Sequence, residues 1–242
     1  MNKFKIVLAA IMLMTAVIMT ACNPEEEPKN SGNDNSSGNG GNTDTYEYVD
    51  LGLPSGTLWA TCNVGAATSE GYGDYFAWGE TEPKTTYNWS TYQYCNGSYN
   101  QLTKYCNNSN FGYNGFADNL TVLQPIDDAA TANWGSGWCT PTKEQWQELF
   151  QNITHIWTIQ NGVNGRLFTG SNGHSLFLPA VGYRRGDEPD QVGSGGYYWS
   201  SSLDTGSPDD AWNFYFRSDD YNMSHNGERN GGLSVRAVRS AQ

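Results

Sequence analysis

The chain has 242 residues with 25 acidic against 13 basic side chains, a formal net charge of −12 at pH 7. Phosphate binding needs clustered Lys and Arg, so this balance argues against nucleic acid as a partner, and against charge-driven adhesion to anionic lipid. Few charges and 14% aromatic residues suit a neutral polymer or a protein partner instead.

Residues 1–21 carry Lys3 and Lys5, then an apolar run over 6–19, then Thr20-Ala21-Cys22. That is the layout of a secretory signal with small residues before the cut. The run is shorter than the ~20 apolar residues of a spanning helix. Its ending resembles the bacterial lipobox, which implies a lipid on Cys22 as the new N-terminus. The acidic run 25–27 resembles the export tag of Bacteroidetes surface lipoproteins. These resemblances imply an outer-membrane, lipid-anchored protein exposed at the cell surface. Residues 24–45 are mostly Asn, Gly, Ser, Glu and Pro, without an aromatic. Such a stretch cannot bury enough apolar surface to fold. With Cys22 it reads as a flexible tether, and ~22 residues reach on the order of 25 Å.

From Tyr46 the composition changes, with frequent Trp, Tyr, Phe and Gly, and 46–242 reads as one domain. With Cys22 lipidated, Cys62, Cys95, Cys106 and Cys139 remain and permit three pairings. Cys95 and Cys106 close a short loop and are the favoured disulfide. Cys62 and Cys139 are then a second pair or two buried thiols. No cysteine pair has short ligand spacing and only three His exist, so neither a metal nor another cofactor is expected.

Residues 46–51 alternate and predict a strand, with turn chemistry at 53–56 and a return strand over 57–64. Residues 71–115 are irregular. A short helix over 127–133 has Asp127 as its expected N-cap. A longer one is predicted from Thr140, with Pro141 in its first turn and Trp146, Leu149, Phe150 and Ile153 as a core stripe. Strands follow over 155–160, 165–169, 175–182, 196–201, 211–217 and 233–239, with a hairpin turn at Asn172-Gly173. The expected class is α+β: twisted antiparallel strands, one or two helices and long loops.

Five motifs now carry a resemblance. They are VDLGLPSGTLWA (49–60), DYFAWGE (74–80), WCTPTKE (138–144), LPAVGYR (178–184) and YYWSSS (197–202). In this order they resemble the Fibrobacter succinogenes major paralogous domain family. The resemblance implies a C-type-lectin-like fold whose long loops hold ligand-binding surface.

In the strand over 211–217, alternation puts Trp212, Phe214 and Phe216 on a core face and Asn213, Tyr215 and Arg217 on the other. The polar stretch after it is rich in Tyr, Asn, Ser and Asp, residues that binding loops favour. The layout resembles the variable region of lectin-like proteins diversified by retroelements. The expected ligand face is Asn213, Tyr215, Arg217, Asp219, Asp220, Tyr221, Asn222, His225, Asn226 and Asn230. Its expected partner is an extracellular protein or glycan. The alternative is a calcium-dependent lectin, for which Glu188-Pro189-Asp190 and Trp212-Asn213-Phe214 stand near the required motifs. Phe214, however, sits where an acid is needed. No catalytic constellation is expected: His155, His174 and His225 fit no metal or triad spacing. Trp78, Trp89 and Trp134 are expected to pack loops rather than stack on sugars.

Overall fold

The computed structural model describes residues 46–240. The expected signal, Cys22 and tether lie outside the described residues. The described chain is α+β and mostly antiparallel β, with two α-helices and long connections.

Three strands come from the two ends of the described stretch: β1 (Tyr48–Asp50), β2 (Leu58–Ala60) and β11 (Val238–Arg239), in the order β1-β2-β11. The turn joining β1 and β2 closes with Gly56 N–H donating to Leu53 O. Buried Arg236 strengthens this junction by donating to Asn63 Oδ1 and to the carbonyls of Ala60 and Thr61. The expected strand over 233–239 is only partly formed. Its first half makes single bridges instead, Leu233 to Phe76 and Ser234 to Tyr198.

Helix α1 begins two residues and helix α2 three residues later than expected, and both caps shift. Helix α1 (Ala129–Trp134) is capped by Asp128 rather than Asp127. The Asp128 carboxylate accepts from the Ala130 and Thr131 amides, and from the amide and hydroxyl of Thr140. Thr140 is therefore committed to Asp128 and does not cap helix α2 (Lys143–Asn152). Thr142 does, in a reciprocal capping box with Gln145. The α2 stripe of Trp146, Leu149, Phe150 and Ile153 is buried as its spacing predicts. Each such burial contributes about 1.5–3 kcal/mol.

Beyond α2, strands β3 (Thr154–Gln160), β4 (Val163–Thr169) and β5 (Ser175–Pro179) form an antiparallel meander. Its second turn holds Gly173 at φ +83°, a conformation that favours glycine at Asn172-Gly173. A small hairpin follows, β6 (Tyr183–Arg185) and β7 (Glu188–Asp190), in a stretch where no strand was expected. The last sheet is β8 (Gly196–Leu203), β9 (Asp210–Phe216) and β10 (Tyr221–Glu228), in the order β10-β9-β8.

This last sheet separates two cores. Tyr198, Phe214 and Phe216 face the first, with α2 and the meander. Tyr197, Trp199 and Tyr215 face the second, with Trp78, Tyr105 and Trp138. Trp146 stacks on Phe214 at 4.9 Å. Buried indoles tie the loops to this sheet: Trp78 Nε1 donates to Ser200 O, Trp146 Nε1 to Trp199 O, and Trp199 Nε1 to Phe76 O. Trp212 departs from expectation. It is only half-buried and carries the Lys143 ammonium over its ring.

The expected Cys95–Cys106 disulfide is not formed, and Cys62, Cys95 and Cys106 are free thiols. Each member of the expected pair bonds within its own turn, Cys95 Sγ to Trp89 O and Cys106 Sγ to Asn108 O, both at 3.1 Å. Short separation along the chain therefore did not bring the sulfurs together. Among the described residues no helix is long and apolar enough to cross a membrane.

Candidate functional site

The second face of the β8-β9-β10 sheet opens into a cleft of about 370 Å³. That size lies within the range of small-ligand pockets. Tyr197, Asp210, Asn213, His225 and Glu228 form its floor, while β6 and residues 230–233 form its walls. The walls are joined by reciprocal Arg184–Gly232 backbone hydrogen bonds of 2.8 and 2.9 Å. Tyr183 meets Tyr197 edge-on at 4.9 Å, closing the aromatic corner.

The floor carries polar groups with unused valence. Asn213 is 2% exposed, and its Oδ1 lies 2.9 Å from His225 Nδ1. The oxygen can only accept, so His225 holds its proton on Nδ1 and leaves Nε2 as a bare acceptor. Burial keeps the imidazole neutral by pushing its pKa down. Asn213 Nδ2 has no partner among the described residues and lies beside Gly227. A Cβ at position 227 would sit 3.2 Å from that nitrogen, so glycine keeps the approach open. Asn230 is 4% exposed, lines the same cleft, and its amide is likewise without a partner among the described residues. Neither amide is sealed from solvent, so both remain open to a ligand that enters the cleft.

At the other end of the floor, Asp210 on β9 stands directly opposite Glu228 on β10. Like charges so placed destabilise a ladder. Glu228 is relieved by Arg185, whose Nη2 lies 2.5 Å from its Oε2. The Asp210 carboxylate accepts no hydrogen bond from a described residue. Burial, then the charges of Asp209, Glu228 and Asp204, push its pKa up to about 6. Asp209 is also raised, chiefly by burial. Arg184 does not compensate, since its guanidinium donates to Asp187 O and lies over the Tyr75 and Tyr87 rings.

The ten residues expected to form one face do not share one side of the sheet. Asn213, His225 and Asn230 line the cleft. Tyr215 is buried beneath it, 4.9 Å from the Tyr197 ring and 5.4 Å from His225. Asn222 pairs with Tyr215, and Arg217 reaches Gln191 Oε1 at 2.5 Å, so both belong to the same face at its rim. Tyr221 turns to the helix side, 4.1 Å from Phe150 and 5.4 Å from His155. Asn226 opposes Trp212 and donates to Asp204 on the far face. Asp219 and Asp220 are exposed in the β9–β10 turn. The division has a plain cause. Residues 221–228 were read as a polar loop but form a strand, so their side chains alternate, with a register shift between Asn222 and His225.

Sequence reasoning missed Tyr183, Tyr197, Asp210, Glu228, Arg185 and Gly227. The alternation of 197–199 carried a signal for Tyr197. The others depend on which strands pair.

Among the described residues no group of three or more His, Cys, Asp or Glu is placed to hold a metal ion. Of the two motifs considered for calcium, one forms β7, where Asp190 accepts from the Tyr183 hydroxyl and the Gln191 amide. The other holds Asn213, committed to His225.

Residues 168–238 match a family described as a domain of unknown function (DUF8237). The matched stretch holds every residue that lines the cleft. No curated protein and no solved structure matches the chain.

Proposed function

We propose that this protein is a lipid-anchored, cell-surface ligand-binding module, and that the cleft on the β8-β9-β10 sheet is its binding site. One observation carries the reading: two asparagine residues, each more than nine-tenths buried, line the cleft with amide nitrogens that no described residue engages. Binding proteins keep such groups because the ligand satisfies them. The five sequence motifs support a C-type-lectin-like domain of the Fibrobacter succinogenes major paralogous type. The exposed rim, with Arg217 and Asn222, is the part suited to retroelement diversification. The anchor at Cys22 and the tether of residues 24–45 would place the cleft outside the outer membrane, facing a protein or glycan. We assign binding rather than catalysis.

An array of glycans and of host and phage surface proteins tests this, probed with wild type and with an Arg217→Ala/Asn222→Ala/His225→Ala variant. Capture by wild type and loss by the variant are expected. A partner held equally by both would place binding elsewhere on the molecule.

A further inference from the structure

We propose that the cleft recognises a cationic nitrogen, the ammonium or guanidinium of a lysine or arginine side chain on a partner protein, seated against Asp210. The inference rests on the cleft being the binding site, and names what it selects.

The geometry begins with the ladder. Asp210 and Glu228 are direct cross-strand partners, and both line the cleft at the end of the β9–β10 ladder. Among the described residues one ion pair serves them, Arg185 with Glu228. Every charged group that acts on Asp210 from the adjoining elements is acidic: Asp209 before β9, Asp204 in the β8–β9 connection, and Glu228 on β10. Arg229, next along the chain from Glu228, is buried and spends its guanidinium on the Tyr92 hydroxyl and three backbone carbonyls. His225 is neutral. Arg184 also lines the cleft, so its two acids are matched in number by two arginines. Arg184 donates to Asp187 O, however, and Arg185 to Glu228, which leaves Asp210 with no bonded cation at a half-buried position where ion pairs are screened less than at the surface.

The remaining groups suit what a charged side chain brings with it. The Tyr183 and Tyr197 rings in the same cleft offer faces to a cation. Asn230 Oδ1 and His225 Nε2 accept the second and third N–H of an ammonium, or the other edge of a guanidinium. Asn213 Nδ2, kept open by Gly227, donates to an oxygen, such as the carbonyl of the residue that carries the cation. The set is thus an unpaired acid, acceptors for the remaining N–H groups and one donor. A neutral ligand would leave the acid uncompensated.

Two small probes present the side chain with blocked termini: Nα-acetyl-lysine methylamide and Nα-acetyl-arginine methylamide. Diacetyl-lysine methylamide is the neutral control, and n-butylammonium tests whether the bare amine suffices. Binding is read by NMR titration of the full domain at pH 7.5. Saturable binding of both cationic probes is expected, with at least tenfold loss in Asp210→Asn and none with the neutral control. Arg185→Ala frees Glu228, so it should tighten binding several-fold. Affinity should fall from pH 7.5 to pH 5 as Asp210 takes up a proton. A binding site for free amines rather than side chains would show n-butylammonium as tight as the blocked lysine, which overturns the assignment to a protein side chain. Equal binding of diacetyl-lysine, an unchanged affinity in Asp210→Asn, or no binding of either cationic probe overturns the inference itself. If an array partner is still lost in the triple-alanine variant, the cleft remains the site and only its chemistry has been misread.

Discussion

Replacing Asp210 with Asn should make the protein more stable at neutral pH, although it removes a charge from the binding floor. The carboxylate accepts no hydrogen bond from a described residue, so the isosteric amide forfeits none. What it removes is repulsion. The pKa of Asp210 rises from 3.8 to about 6 in the fold, driven by burial and then by three neighbouring carboxylates. Each pKa unit is worth about 1.36 kcal/mol, which sets a ceiling of about 3 kcal/mol. Partial exposure screens this, and about 1–2 kcal/mol is the expected gain. The sign follows from linkage. A group with a raised folded pKa binds protons more tightly in the native state. Its favourable contribution is fully present below the unfolded value near 3.8 and is lost as pH rises through about 6. Urea unfolding of wild type and Asp210→Asn at pH 4.5 and pH 7.5 reads the effect. The variant's advantage should be present at pH 7.5 and shrink at pH 4.5. In melting temperature it is worth about 2–4 °C per kcal/mol. A variant less stable at pH 7.5, or equally shifted at both, would show that Asp210 is not a repelled carboxylate.

Other perturbations have equally definite signs. Asp128→Ala strips the cap of α1 and the partner of Thr140 together, and should cost at least about 2 kcal/mol in denaturant unfolding. Arg229→Met leaves the Tyr105, Pro208 and Lys104 carbonyls without their shared donor. It should cost more than about 3 kcal/mol, and a loss below 1 kcal/mol would mean water replaces the guanidinium. His155 has its pKa pushed down by burial and then by Arg166, so its contribution is present above about 6.5 and is lost as pH falls below it. This is opposite to Asp210, and His155→Gln should flatten the loss on the acid side in a melting series from pH 7.5 to pH 5.

The sequence made one kind of information plain and concealed another. Local periodicity located α2 and its buried stripe, because Trp146, Leu149 and Phe150 fall on one helical face whatever they pack against. It also gave the parity of β9, with Phe214 and Phe216 in one core and Asn213 and Tyr215 on the other side. Caps were misplaced by one or two residues, because several oxygen-bearing residues stand in a row at 127–128 and 140–142, and only tertiary contact selects among them. Strand β10 was hidden because Asn, Ser and His carry no hydrophobic alternation. Its existence is dictated by β9, and with it the division of the expected face. The opposition of Asp210 and Glu228 depends on a register interrupted by a bulge, which no local pattern encodes.

Two guanidinium groups, on Arg229 and Arg236, lie at 0% exposure without a carboxylate partner among the described residues and hold mainly peptide oxygens: three carbonyls for Arg229, two for Arg236. A main-chain carbonyl is the same ligand whichever residue supplies it. The segments around Lys104, Pro208 and Thr61 are thus fastened by groups that mutation cannot remove. Such fastening lets a long connection change its amino acids over generations while keeping its path. An evolving surface gains from that: its outward chemistry becomes free to drift, and the two arginines bear the constraint.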